Sequence, residues 1–478
     1  MSPQRPRVRV STGEIEGESR DGIDRFLGIP YAAPPFGARR FAEPQAPEAR
    51  SGVRDASTFG ATPPQRPYQG RLQALLPTVT ITGEDVLTVN VWAPRDAQHL
   101  PVVFWLHGGA FERGTTALPL YDGTAFARDG VIFVSAGYRL GAEGFSVLEG
   151  APRNLGLSDA AAALRWTHAE IAAFGGDPTR ITVMGESAGG ALAAALLARP
   201  DTAEIPAALI VQSGPLSADS PAKAGRVTAA LAKRLGVSAT VEDFRALTPD
   251  QLLDARQAQS AGSTPLRGAP GYLLCLDATS LPRSPEEALR DAQIPVLIGT
   301  NTEEYRLWFA PEALSRIRPL QLLLARLALG ISRSAVRAYR REFPEATTGE
   351  IFGQLATDVL LRAPALRTAS ARTAPTSVYE FAWTTPLHDL GAAHALELGF
   401  VFDALQTDDA IRLAGPDAPH TLAEQMHGDW VRFILGGDPV WPPYGAPSRI
   451  TRVYDEEIRD VSARRTAALD LLPAARSR

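Results

Sequence analysis

The chain has 478 residues, 45% hydrophobic and 21% charged, an ordinary globular composition with length enough to bury a large core. A net charge of −5 with no block of like charges points away from nucleic acid and from an anionic membrane surface. The single cysteine, Cys275, excludes an intrachain disulfide. The opening MSPQRPRVRV carries charge with no apolar run behind it, unlike a secretory signal, and no stretch nears the ~18 apolar residues of a membrane span. A cytoplasmic setting is expected.

In chain order, VRVSTGEIEGE (8–18) alternates around Thr12-Gly13 and predicts a β-hairpin. The Pro- and Gly-rich run from Gly28 to Phe41 predicts a loop. Apolar runs at 101–106, 131–138, 181–186, 208–213 and 295–300 are short, β-branched-rich and closed by polar residues or glycine. Such runs suit strands buried on both faces. Between them, Leu157, Ala161, Leu164, His168 and Ile171 step along one helix face, and Gly175-Gly176-Asp177-Pro178 ends that helix. Alternating strands and helices predict an α/β fold: a large, mostly parallel central sheet with helices on both faces, and ligands at the carboxyl ends of the strands. Residues 305–375 are rich in Leu, Ala and Arg at helical spacing. They predict a helical cap or insertion within a single domain of residues 1–478, before strand signal resumes at 377–383.

Gly185-Glu186-Ser187-Ala188-Gly189 joins the strand run ITVM to an Ala-rich helical stretch. In that context G-x-S-x-G is a nucleophile elbow, with small residues letting strand and helix approach while the hydroxyl projects from the turn. A plain Gly-rich turn with a capping serine is the alternative, and the flanking elements favour the elbow. A serine nucleophile needs a base. The chain has histidines at 99, 107, 168, 388, 394, 420 and 427. Elbow hydrolases order the chain as serine, acid, histidine, which leaves the last four. His427 lies in a helical pattern and His420 in a Pro- and Gly-rich loop. His388 and His394 both follow the strand at 377–383, and pattern alone does not separate them. For the acid, Glu303 and Glu304 close the run PVLIGTNTEE, ahead of Asp277 and Asp389. An oxyanion hole needs backbone N–H groups. Ala188 follows the nucleophile, and His107-Gly108-Gly109-Ala110-Phe111 follows PVVFWL as the second source. No His/Cys/Asp cluster has metal-ligand spacing, so neither metal nor cofactor is expected.

Longer blocks carry a resemblance. They are FLGIPYAAPPFGARRF (26–41), EDVLTVNVW (84–92), WLHGGAF (105–111), YRLGAEGF (138–145), GLSDAAAALRW (156–166), IAAFGGDPTRITVMGESAGG (171–190), VLIGTNTEEY (296–305) and HALELGFVF (394–402). Almost end to end the chain resembles the type-B carboxylesterases, the family of the cholinesterases, and most of all its bacterial para-nitrobenzyl esterases. The resemblance implies the α/β-hydrolase fold and a serine carboxylesterase with a Ser-Glu-His triad and an acyl-enzyme intermediate. The family's acid falls on Glu304, its H-x-x-E histidine on His394, and its oxyanion donors on Gly109, Ala110 and Ala188. Four departures stand out. Val86 replaces the usual cysteine of EDCL, Tyr305 a glycine after the acid, and Gly137 an asparagine, while residues 42–91 lack the tryptophan that binds choline in cholinesterases. Phe111, Phe145, Trp308, Phe309 and Phe400 are candidate walls of an apolar substrate pocket, although each suits plain core as well. A thioesterase or amidase with the same triad is the alternative chemistry. A non-catalytic binding protein of this family would typically lack the serine. The expected partner is a small-molecule ester, with neither nucleic acid nor membrane.

Overall fold

A computed structural model describes residues 5–261, 271–436 and 441–473. The strands in chain order are β1 (Arg7–Val10), β2 (Gly13–Glu16), β3 (Glu18–Arg20), β4 (Ile23–Pro30), β5 (Val53–Asp55), β6 (Thr88–Pro94) and β7 (Leu100–Leu106). They continue as β8 (Ile132–Ala136), β9 (Gly176–Glu186), β10 (Ala208–Gln212), β11 (Val296–Asn301), β12 (Thr376–Phe381), β13 (Ile450–Tyr454) and β14 (Arg459–Ser462). β1 and β2 form the expected hairpin, with Val10 opposite Gly13, and β5 completes a small sheet. The other strands form one sheet in the order β14-β13-β12-β11-β10-β9-β7-β8-β6-β4-β3. Every pairing from β8 through β7, β9, β10, β11 and β12 to β13 is parallel, and the flanking pairs are antiparallel.

The continuous apolar runs follow from burial on both faces. Along β7, Val102, Phe104 and Leu106 enter a core that includes Leu164 and Leu192, while Val103 and Trp105 enter an opposite core that includes Phe402 and Trp430. A strand's period of two thus sends successive side chains to different helical layers. The first layer holds the helices Leu155–Glu170 and Ala188–Leu196, and the second holds His420–Gly436. A third core, around Tyr339, Ile351 and Phe352, lies among the helices Pro311–Ser315, Pro319–Ala328, Arg333–Glu342, Thr348–Thr357 and Ala363–Ala371.

Three local expectations require correction. Gly28 to Pro30 are not loop but the end of β4, where the register against β6 shifts between Phe26 and Ile29 and Gly28 takes φ +63°. That bulge, built on a positive-φ glycine, mimics a breaker in sequence. His168 is exposed although its helical phase matches buried Leu164 and Ile171: it lies in the last turn of the helix Leu155–Glu170, before the 3₁₀ turn Ile171–Phe174. His420 opens the helix His420–Gly436 rather than sitting in a loop.

Candidate active site

Ser187 stands between the end of β9 and the first turn of the helix Ala188–Leu196, at φ +53° and ψ −121°. Few non-glycine residues hold such angles, and the cost is of order 1–3 kcal/mol. The surroundings enforce it. A side chain on Gly189 would come within 1.9 Å of the Leu106 carbonyl oxygen, and one on Gly185 within 2.3 Å of the Gly189 carbonyl oxygen. The Ser187 N–H donates to Gln212 O at 2.8 Å, tying the turn to β10. The helix N-terminus begins at the serine and favours negative charge there.

The loop after β7 is strained in the same manner. Gly109, Ala110 and Phe111 have φ of +117°, +56° and +61°. The Gly109 carbonyl accepts from the N–H groups of Glu112 and Arg113, both at 3.0 Å, and Phe111 O accepts from Gly141 N–H at 2.6 Å. Among the described residues, the backbone N–H groups of Gly109, Ala110 and Ala188 donate to no protein acceptor, and all three residues flank the cleft at Ser187 or follow it directly in the chain.

Glu304 follows β11 in a 3₁₀ turn, Glu304–Leu307, and is buried. Its Oε1 accepts from Ser213 Oγ at 2.6 Å and from Asn301 N–H at 2.8 Å. Its Oε2 lies 2.6 Å from His394 Nδ1, the separation of a charge-assisted hydrogen bond in which Nδ1–H donates. His394 is buried, whereas His388 is exposed. His394 Nε2 lies 3.0 Å from Glu186 Oε1, and no hydrogen bond joins it to Ser187 Oγ. The Trp308 ring lies over His394, its centroid 4.6 Å away. Behind the histidine, Glu397 accepts from Asn301 Nδ2 at 2.6 Å and Gln212 Nε2 at 3.3 Å, and Gln212 Oε1 accepts from Trp430 Nε1.

Three buried glutamates around one imidazole have a clear electrostatic consequence. Burial disfavours the His394 cation, but the charges of Glu186 and Glu304 outweigh it and push its pKa up to about 9. Burial pushes Glu186 up to about 8, opposed by His394 and helped by Glu397 and Glu304. Burial also pushes Glu397 up to about 7, with repulsion from Glu304 adding and the Asn301 hydrogen bond opposing. The cluster therefore holds protons near neutrality that isolated carboxylates would release.

Ser187, Glu186, His394, Gly109, Ala110 and Trp308 line one cleft. Gln65, Tyr68 and Leu76 close it from the 60–80 loop. The other suggested pocket aromatics face elsewhere. Phe111 turns onto Phe145 at 4.5 Å, Phe309 onto Phe352 at 5.8 Å, and Phe400 onto Phe381 and Trp383 at 5.0 and 5.2 Å. The sequence also suggests a loop at 262–280 beside the pocket, and its residues 262–270 lie outside the described residues. Tyr305, where the resemblance leads one to expect glycine, is buried with its ring against Gly353, whose Cβ would come within 2.3 Å of it. Sequence reasoning passed over Ser213 and Asn301 as ends of strand runs and treated Glu186 as the free position of the elbow; only contacts between distant segments single them out.

The sheet order, its surrounding helices and the serine turn at the end of β9 define an α/β-hydrolase. Residues 4–455 match the carboxylesterase family, and the chain belongs to that family of carboxylic ester hydrolases. It is 36% identical over 476 residues to the para-nitrobenzyl esterase of Bacillus subtilis (strain 168), covering 94% of this chain and 95% of the relative. It is 31% identical over 483 residues to the phenmedipham hydrolase of Pseudarthrobacter oxydans, covering 96% and 97%. A solved PNB esterase structure superposes with a TM-score of 0.87 at 33% identity, covering 98% of this chain and 100% of that one. No described helix is long and apolar enough to cross a membrane.

Proposed function

We propose that this carboxylesterase works through an acyl-enzyme at Ser187, with His394 as base and Glu304 as its orienting acid. His394 donates its Nδ1–H to Glu304 and takes the Ser187 proton through Nε2 as Oγ attacks the ester carbonyl. Nε2 turns from Glu186 toward the serine as substrate enters; catalytic hydrogen bonds are often loose before binding. The N–H groups of Gly109, Ala110 and Ala188 receive the oxyanion, each worth ~2.7–4 kcal/mol by precedent. His394 passes the proton to the leaving alcohol, then activates the water that cleaves acyl-Ser187. Glu304 orients the imidazole and stabilises the imidazolium that forms.

The observation that carries this reading is the 2.6 Å Glu304–His394 contact in the cleft that the strained Ser187 also lines. We further read residues 305–375 as a helical cap within one catalytic domain. Para-nitrobenzyl esters and p-nitrophenyl esters of graded chain length are the substrates to try first. Ser187→Ala should reduce kcat by about a million-fold while the protein stays folded. Phenylmethylsulfonyl fluoride should inactivate the wild type with its adduct on Ser187 by mass spectrometry. A near-wild-type rate for the mutant, or an inactivating adduct elsewhere, overturns the assignment.

A further inference from the structure

The helix Pro319–Ala328 exposes more leucine than it buries. Leu320, Leu323, Leu324 and Leu327 are 65%, 42%, 53% and 60% exposed, and Leu329 beyond the helix is 42% exposed. Leu322 is the helix's one fully buried residue. The four exposed helical leucines fall at i, i+3, i+4 and i+7, a single stripe. A surface helix normally turns such a stripe inward, and a contiguous exposed one marks a docking face.

The charge around it is equally one-sided. From Arg316 to Arg341 the chain carries seven arginines and no acidic residue, within a protein of net charge −5. Among the described residues none of the seven has a carboxylate within ion-pair distance. Arg326 binds the Ile331 carbonyl at 3.0 Å and Arg340 reaches Thr348 Oγ1. Arg306, just upstream, instead holds Glu303 and Glu350.

We propose that this helix, with the arginines of the helix Arg333–Glu342, docks on the surface of an anionic lipid bilayer. The leucines would enter the headgroup–acyl boundary and the arginines would bind lipid phosphates. Apolar exposure alone suits many partners; the charge selects among them. A second copy meeting stripe to stripe would bring two strongly basic segments together, with acid only at their edges, at Glu312 and Glu342. An anionic bilayer takes up both features, and basic clusters on an amphipathic helix bind such surfaces through apolar insertion and headgroup charge together. At ten residues the helix lies on the bilayer and does not span it.

The test is co-sedimentation of the full chain with phosphatidylcholine vesicles, with and without phosphatidylglycerol. Binding is expected to the anionic vesicles only and to weaken with salt. Leu320→Ser with Leu327→Ser, and separately Arg316→Gln with Arg326→Gln, should each weaken it by roughly tenfold or more. Both variants should turn over p-nitrophenyl acetate in vesicle-free buffer like the wild type, which reports their folding. Binding to neither vesicle, equal binding to both, or variants that bind like the wild type overturn the proposal. So does a dimer in solution that the leucine variant dissolves, because the stripe would then be a self-interface.

Discussion

One wall of the cleft, at Gly108, Gly109, Ala110 and Ser187, presents backbone; another, at His394 with Glu304 behind it, presents buried side chains. The backbone wall spends conformational strain, with positive φ at Gly109, Ala110, Phe111 and Ser187, and carries no titratable group at its N–H donors. The side-chain wall is made of charges kept from water, so its state depends on protons. The N–H donors are therefore sensitive to steric change and have no titration of their own, whereas the state of His394 depends on pH.

Replacing the proposed base tests the side-chain wall most severely. His394→Ala should lower kcat by about ten-thousand-fold or more, while His388→Ala, at an exposed site, should remain near wild type. Steady-state kinetics on p-nitrophenyl acetate decide it, and the opposite ranking would overturn the assignment of the base.

The backbone wall is tested by adding one methyl group. Gly109→Ala places a Cβ 2.0 Å from the Arg113 carbonyl oxygen at φ +117°, so the loop must move. We expect kcat to fall about a hundred-fold or more with no displacement of the pH profile, the size of a lost oxyanion donor. A profile that moves with the rate would break the division between the walls.

A smaller effect is expected where a neutral group supports the acid. Ser213→Ala removes the 2.6 Å hydrogen bond to Glu304 Oε1 but leaves that of Asn301 N–H. Hydrogen bonds to charged groups contribute ~1.5–3 kcal/mol, so a loss of roughly ten- to a hundred-fold in kcat is expected. An unchanged rate would mean that Asn301 alone suffices.

The smallest effect is a shift in pH dependence. The proposed base must be neutral to act, and carboxylates beside His394 raise its pKa, so activity is expected above that pKa and is lost as pH falls through it. Glu186→Gln removes one raising charge, and the acid limb should move down. Burial pushes Glu186 itself up to about 8, so its carboxyl is already neutral over part of the range. The shift should therefore stay within roughly one unit. An upward shift in the kcat/KM profile would contradict the electrostatic account.

The strands at 101–106, 181–186 and 295–300 were legible because a buried parallel strand needs a continuous apolar run, and the elbow because Gly185 answers to the backbone of nearby Gly189, although Gly189 answers to the distant Leu106. Local steric and burial demands leave local marks. The basic leucine helix was less legible: its residues stood out, but a whole-chain charge of −5 averages a local arginine cluster away. His388 and His394 follow the same strand, and residue pattern alone does not divide them. In the structure one is exposed and the other lies 2.6 Å from Glu304, a residue 90 positions away in the chain. Likewise only Trp308 of the five suggested aromatics lines the cleft, because a positive φ at Phe111 and the packing of Phe145, Phe309 and Phe400 aim those rings into the core. By itself the sequence determined the strands, the elbow and the order of the candidate groups, all written in short-range constraints. The tertiary structure decided which side chains share the cleft and how their charges bear on one another, since direction and burial arise only when distant segments meet.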